Sequence, residues 1–353
     1  MKTIIPMALC MVIMGACFSS WDGSGDQGNI VINLGNGGAR TLVGVEEYTI
    51  ILTNSGETSI SKTITGGTAD FSVEPGSWSI LVRAMGAEVN SASNLVSQKK
   101  ALKGYGEANV EVKAGATVDA FIDMNTLDQG VTEVVSAWAD LKNVFDNAAA
   151  KRGAQEFVMI TRNLQVNSSI EIRNGEDITL LAKDNVTITK GDVVANSLFR
   201  VIWGSRLTLS TIDQGTITIN GSGDKPNNSS LFYVGTSSIT SNSPPTPLTG
   251  GTLIMNDGIT LTNNHATISD RGGAVVVQGG TFTMKGGTIS GNTALNGGGV
   301  RVLSGTFTKE GGTIYGYTAG DSNSNTATGG KGHAVYVSDD NYRDNTLGPG
   351  NNF

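Results

Sequence analysis

The strongest constraint on this chain is a repeat of fixed length. GGTFTMKGGTISGNT begins at Gly279 and SGTFTKEGGTIYGYT at Ser304, so GTFT and GGTI both recur after 25 residues. A looser copy, GTLIMNDGITLTNN, starts at Gly251. A period of this size means one supersecondary unit per repeat, each burying its apolar side against its neighbours.

Short apolar runs give a second column: LFRV from Leu198, LFYV from Leu231, AVVV from Ala274, GVRV from Gly299 and AVYV from Ala334. Phe199, Phe232, Val275, Val300 and Val335 align, and so do Val201, Val234, Val277, Val302 and Val337 two residues later. Strand side chains alternate faces, so both sets point inward, and the residues between them point outward. That outward set holds Arg200, Tyr233, Val276, Arg301 and Tyr336. Ile217, Leu253, Phe282 and Phe307 share another inward position, and Ile289 with Ile314 marks a third face. Three short strands per coil predict a right-handed parallel β-helix over residues 157–353. The LxxLxL pattern of leucine-rich solenoids and the GGxGxDxUx calcium repeat are both missing, so the repeat itself implies no metal.

Forty-eight glycines and only 16% charged residues fit an all-β chain with tight turns. Residues 28–125 contain about seven alternating runs separated by turn signals, which predicts a β-sandwich. There FSVEPGSWSILVRAMG resembles a hairpin of immunoglobulin-like and prealbumin-like bacterial modules, with Pro75-Gly76 as its turn and Ala114 to Thr117 as the turn before the last strand. Trp78 alternates with Ile80 and Val82 and is expected in the core or at its edge. Between the two lies a linker with a capping helix, residues 126–156. Val135, Trp138, Leu141, Val144, Phe145 and Ala148 recur at helical spacing from Thr132, with Lys151, Arg152 and Gly153 suited to the helix end. Such a helix would cover the open end of a β-helix.

The first sixteen residues read as an export signal. Lys2 precedes an apolar run too short to span a bilayer, and Met14-Gly15-Ala16-Cys17 resembles a lipobox whose loose first position is similar to that of spirochaetal lipoproteins. Cys17 would be the only cysteine left after cleavage, so no disulfide can form, and acylation explains it better than redox chemistry. Residues 17–27 then form a tether. With 24 basic and 31 acidic residues, net charge −7, nucleic acid is a poor partner. The expected location is the bacterial cell envelope, at the outer membrane.

GGAVVV from Gly272 and GHAVYV from Gly332 resemble the GGA(I/L/V) repeats of chlamydial polymorphic membrane proteins. The stretch 137–352 is more similar to lipoproteins with GGTxxMxGGTISGNTA repeats found in treponemes and other host-associated bacteria. The resemblance implies a β-helix presented for adhesion to host protein or glycan. The FxxN motif is missing and no barrel follows Phe353, which weakens that implication.

Parallel β-helices also carry polysaccharide lyases and glycoside hydrolases, whose chemistry needs grouped carboxylates or an Asp cluster with a basic residue. Asp213, Asp257 and Asp270 stand singly beside turn formers, and Asp339-Asp340 is the only adjacent pair in the repeats. His265 and His333 occupy different parts of the repeat. No catalytic residue, metal ligand or cofactor is assigned. The outward column of Arg200, Tyr233, Arg301 and Tyr336 is the candidate binding face, since rings and guanidinium groups can contact sugars or protein. The Pro-rich loop 236–250 is expected to protrude.

Overall fold

The computed structural model describes residues 27–34, 42, 44–55, 58–89, 99–126, 131–148, 155–191, 194, 196–223, 229–236, 249–267 and 271–338. It is all-β apart from one helix, with repeated parallel strands in a curled sheet.

Two sheets form the N-terminal part. Gly28–Leu34 lies between Thr68–Val73 (antiparallel) and Thr117–Ile122 (parallel). The other sheet runs in the order Ser59–Ile64, Glu47–Asn54, Gly76–Val89, Lys99–Val112, Asn125–Thr126, all antiparallel. Ile30, Ile32, Phe71 and Ile122 from the first share one core with Ile50, Leu52, Ile80, Val82 and Val110 from the second. Trp78 is buried in the same core, and its Nε1 donates to Glu74 O at 2.9 Å. The expected hairpin at Pro75-Gly76 is a crossover instead: Thr68–Val73 and Gly76–Val89 belong to different sheets, and Gly76 turns at φ 139°. Its sequence has the turn chemistry of a hairpin, but the two strands find better partners elsewhere. The turn at Ala114 to Thr117 forms, with Gly115 at φ 68°.

From Glu133 onward the strands stack in three parallel columns, and Thr293–Asn296 pairs with Thr326–Lys331 in a short parallel sheet beside them. Face 1 holds Ile170–Ile172, Phe199–Ile202, Phe232–Gly235, the first part of Val275–Met284, the first part of Val300–Lys309, and Val335–Val337. Face 2 holds Glu133–Val135, Gln155–Ile160, Asp177–Leu181, Arg206–Leu209, Thr252–Met255 and the second parts of the two long strands. Face 3 holds Leu164–Val166, Asn185–Lys190, Thr216–Asn220, Ile259–Thr262, Thr288–Ser290 and Thr313–Ile314. The repeat is realised as register, because Phe282 pairs with Phe307 and Ile289 with Ile314. Stacking of like on like follows: the ring centroids of Phe282 and Phe307 are 5.1 Å apart, and those of Phe199 and Phe232 are 5.2 Å apart.

Both inward sets of face 1 pair as expected, and Ile170 and Ile172 add an earlier rung. Two assignments change. Ile217 belongs to face 3, between Val186 and Ile259, and the rung before Leu253 is Leu207. GTIT from Gly215 imitates GTFT locally, but a longer excursion precedes Leu253 and shifts the count. Val135 is also not helical. The helix spans Trp138–Ala148, while the β-branched Val134-Val135 pairs with Met159 and Ile160 as a strand. Trp138, Leu141 and Phe145 join the coil core, with Phe145 at 6.3 Å from Phe199. Lys151, Arg152 and Gly153 lie outside the described residues.

One turn of the coil also holds a polar ladder that the repeat pattern does not announce. Asn264, Asn292 and Asn325 are fully buried and stacked: Asn264 N–H donates to Asn292 Oδ1 (3.1 Å), and Asn292 N–H to Asn325 Oδ1 (3.0 Å). Their side-chain amides donate to carbonyls of Gly273 (2.6 Å), Leu261 (3.0 Å) and Ile289 (2.8 Å). A turn cannot satisfy its own backbone groups as a strand does, and each buried amide supplies the missing partners.

Candidate functional site

The three outer faces of the coil differ sharply. Outward residues of face 1 stack in the expected register, Arg200 on Tyr233, Val276, Arg301 and Tyr336. They do not make the expected open surface. Arg200, Tyr233 and Arg301 are only 3%, 1% and 7% exposed, and Tyr336 is half-buried. Ile202, Trp203, Tyr233 and Val276 form an external apolar cluster, with Trp203 Nε1 donating to Thr236 O at 2.8 Å. Arg200 is held by Glu171 (Nε to Oε1, 3.1 Å) and lies 4.2 Å from the Tyr233 ring centre. Burial lowers the Arg200 pKa, and Glu171 acts against that. A guanidinium spent on a buried carboxylate and ring is not available to a ligand. At the far end Arg301 lies 5.5 Å from the ring of Tyr336.

Face 2 carries the N-terminal sheets. Ile51 and Leu81 project away from their own core and meet Val134, Met159 and Leu181. Arg83 Nε donates to Val134 O (2.9 Å). Arg162 binds across the junction to Glu107 Oε1 (3.3 Å), Ser79 Oγ (3.0 Å), Ala108 O (3.3 Å) and Asn109 Oδ1. Thr161 Oγ1 donates to the same Glu107 oxygen (2.6 Å). Several charge-assisted bonds around one planar group fix the relative placement of the two parts.

Beside Arg162 lies a cleft of about 480 Å³, within the usual size of small-ligand sites. Thr53, Asn54, Ser55, Ser77, Ser79 and Asn109 line one wall, and Ser136, Trp138, Asn163 and Gln165 the other. Its lining is hydroxyl, amide and indole, and its one cation already faces Glu107. Such a lining suits a neutral polyhydroxylated ligand. Asn163 and Gln165 are exposed because Leu164 and Val166 take the inward positions of that strand. The sequence does carry a signal for this junction. Ile50-Ile51-Leu52 and Ile80-Leu81-Val82 break the alternation expected of a sheet with one wet face.

Two carboxyl groups are perturbed, and they are not partners. Burial drives the Glu176 pKa up to about 8, and neither carboxyl oxygen has a hydrogen-bond partner. Glu176 is in step with the inward Ile178 and Leu180. Burial also raises Asp140; Arg83 opposes this and Glu133 adds to it. Asp213 (φ 55°) and Asp257, next to Gly258 (φ 77°), sit at turns. Asp270, Asp339 and Asp340 lie outside the described residues, as do Cys17 and most of the Pro-rich loop. His265 forms a lone parallel bridge with Thr293, while His333 Nδ1 accepts Ala327 N–H (3.0 Å) and its ring stacks on Tyr317. Among the described residues, no three His, Cys, Asp or Glu side chains come together as a metal site. No helix there is long and apolar enough to cross a membrane.

Comparison with protein families, with characterised proteins and with solved structures yields no match to this chain.

Proposed function

We propose that the protein is an exported, lipid-anchored binding protein of the bacterial envelope, and that it takes a neutral glycan in the cleft beside Arg162. In this reading Cys17 is acylated and residues 17–27 are the tether. An immunoglobulin-like or prealbumin-like sandwich then holds a right-handed parallel β-helix, whose first coil is capped by the helix Trp138–Ala148. Anchoring by acyl chains needs no spanning helix, since each buried CH₂ contributes roughly 0.8 kcal/mol.

The observation that carries the binding reading is the cleft itself: a concave hydroxyl-and-amide lining whose one charge, Arg162, is held by Glu107, where the N-terminal sheets meet the coil. This replaces Arg200, Tyr233 and Arg301, which are buried, as the place of contact. A glycan array probed with the purified chain tests it. Retention of neutral glycans, weakened at least about tenfold in Asn163→Ala with Gln165→Ala, is expected from the loss of one or two ligand hydrogen bonds. Retention unchanged by that pair, or none at all, rejects the cleft. Appearance of shortened products would turn the reading to a polysaccharide-degrading enzyme. The anchor is checked separately by incorporation of labelled fatty acid, expected to vanish in Cys17→Ser.

A further inference from the structure

Face 3 leaves its outer side partly open from end to end, whereas face 1 is buried from Arg200 through Arg301 and face 2 is covered over its first strands and opens from Thr208 onward, where Ile254 interrupts its outward threonines. Thr187, Thr218, Thr260, Thr288 and Thr313 stand in one unbroken register across five coils. Beside them runs a second row, Gln165, Thr189, Asn220 and Thr262, which ends on the buried Ser290. Neither row contains a charged residue, in a chain that has 55 of them (24 basic and 31 acidic). Among the described residues the five threonine hydroxyls of the first row have no hydrogen-bond partner within the protein. The external apolar clusters lie over face 1 and over the first three strands of face 2.

The rows also lead somewhere. Gln165, which begins the second row, lines the cleft. Asn163 lines it too and heads the first row, its Oδ1 accepting Thr187 N–H at 2.7 Å. We infer that the cleft and face 3 form one track, and that its ligand is an extended neutral polysaccharide lying along the coil axis. The inference rests on the cleft being a glycan site. Coils repeat about every 4.8 Å, close to the length of one sugar in an extended chain, so each successive sugar would meet a fresh pair of outward polar groups. The absence of charge argues against an acidic polysaccharide, which would need Arg or Lys at those positions. A flat row without protruding aromatic or Arg anchors is a poor protein interface.

Titration calorimetry of the full chain in detergent, with cello-, xylo- and manno-oligosaccharides from disaccharide to hexasaccharide, tests this. In at least one series, affinity is expected to rise about tenfold or more with length, the equivalent of one or two added net hydrogen bonds. Thr218→Val with Thr260→Val should abolish the gain and leave disaccharide affinity unchanged; Thr218→Glu with Thr260→Glu should do the same if the valines disturb the stack. Asn163→Ala with Gln165→Ala should weaken every length. Affinity independent of length would overturn the track and leave the cleft standing, whereas no binding to any neutral series would remove both. Preference for polygalacturonate over all neutral series also overturns it. So does self-association by sedimentation that Thr218→Glu with Thr260→Glu removes, since face 3 would then seat a second copy.

Discussion

Face 1 and face 3 of the coil are built from the same kind of strand and bury the same kind of inward residue, yet their outer sides have opposite fates. On face 1 the outward Arg200, Tyr233, Val276 and Arg301 are buried, Tyr233 and Val276 within a second apolar cluster. On face 3 the outward Thr187, Thr218, Thr260, Thr288 and Thr313 stay half-exposed, with hydroxyls unpaired among the described residues. The inward columns therefore specify the coil, and the outward columns specify what each side of it meets. Polarity alone does not decide the difference: an arginine row is buried and a threonine row is open. What decides it is whether an outward charge has a partner at hand, as Arg200 has Glu171.

The largest effect is expected from the coil interior. Phe282→Ala removes a fully buried ring stacked on Phe307 and should cost about 3–5 kcal/mol in denaturant unfolding. A cost near that of a surface change would mean that the inward column does not hold the coil. Arg200→Ala leaves the buried Glu171 carboxylate with only the more distant Arg173 (3.7 Å) and strips the cation from the Tyr233 ring, and a loss of about 3 kcal/mol is expected. If it is silent, face 1 is as open as face 3.

Glu176→Gln should act in the opposite direction. In the folded chain the carboxyl keeps its proton up to about pH 8, whereas the unfolded chain releases it near the ordinary value of 4.5. Between those pH values the unfolded state binds fewer protons, so stability falls as pH rises, by roughly 3 kcal/mol by pH 7. The glutamine should recover most of that loss and flatten stability between pH 5 and pH 8, as read from urea midpoints. A wild-type midpoint that does not fall through this window would show Glu176 to be ionised. The smallest effect belongs to face 3: Thr260→Val should change stability by less than about 0.5 kcal/mol. A larger loss would mean that the threonine row is covered after all.

Much of the coil is legible in the amino-acid order. The 25-residue recurrence brings Phe282 back to Phe307 and Ile289 back to Ile314, and strand alternation assigns their direction. Ile217 misleads because unequal coils defeat a local likeness between GTIT and GTFT. Val135 misleads because three- and four-residue spacing continues by chance from a strand into a helix. The buried asparagine ladder is hidden for a different reason. Asn264, Asn292 and Asn325 look like ordinary turn residues, and only the folded coil brings their amides to carbonyls on neighbouring segments.

The candidate site is less legible than the fold. Its walls come from segments far apart in the chain, with Ser77 and Asn109 on one side and Asn163 and Gln165 on the other. The order of residues dictates which side of each strand faces the coil interior, because a side-chain period of two and a fixed repeat leave little freedom. Which outer faces are covered, and where the cleft opens, follows from the folded chain alone. That depends on where distant segments return, and pairing such as Arg162 with Glu107 or Arg200 with Glu171 can bury residues that look destined for water.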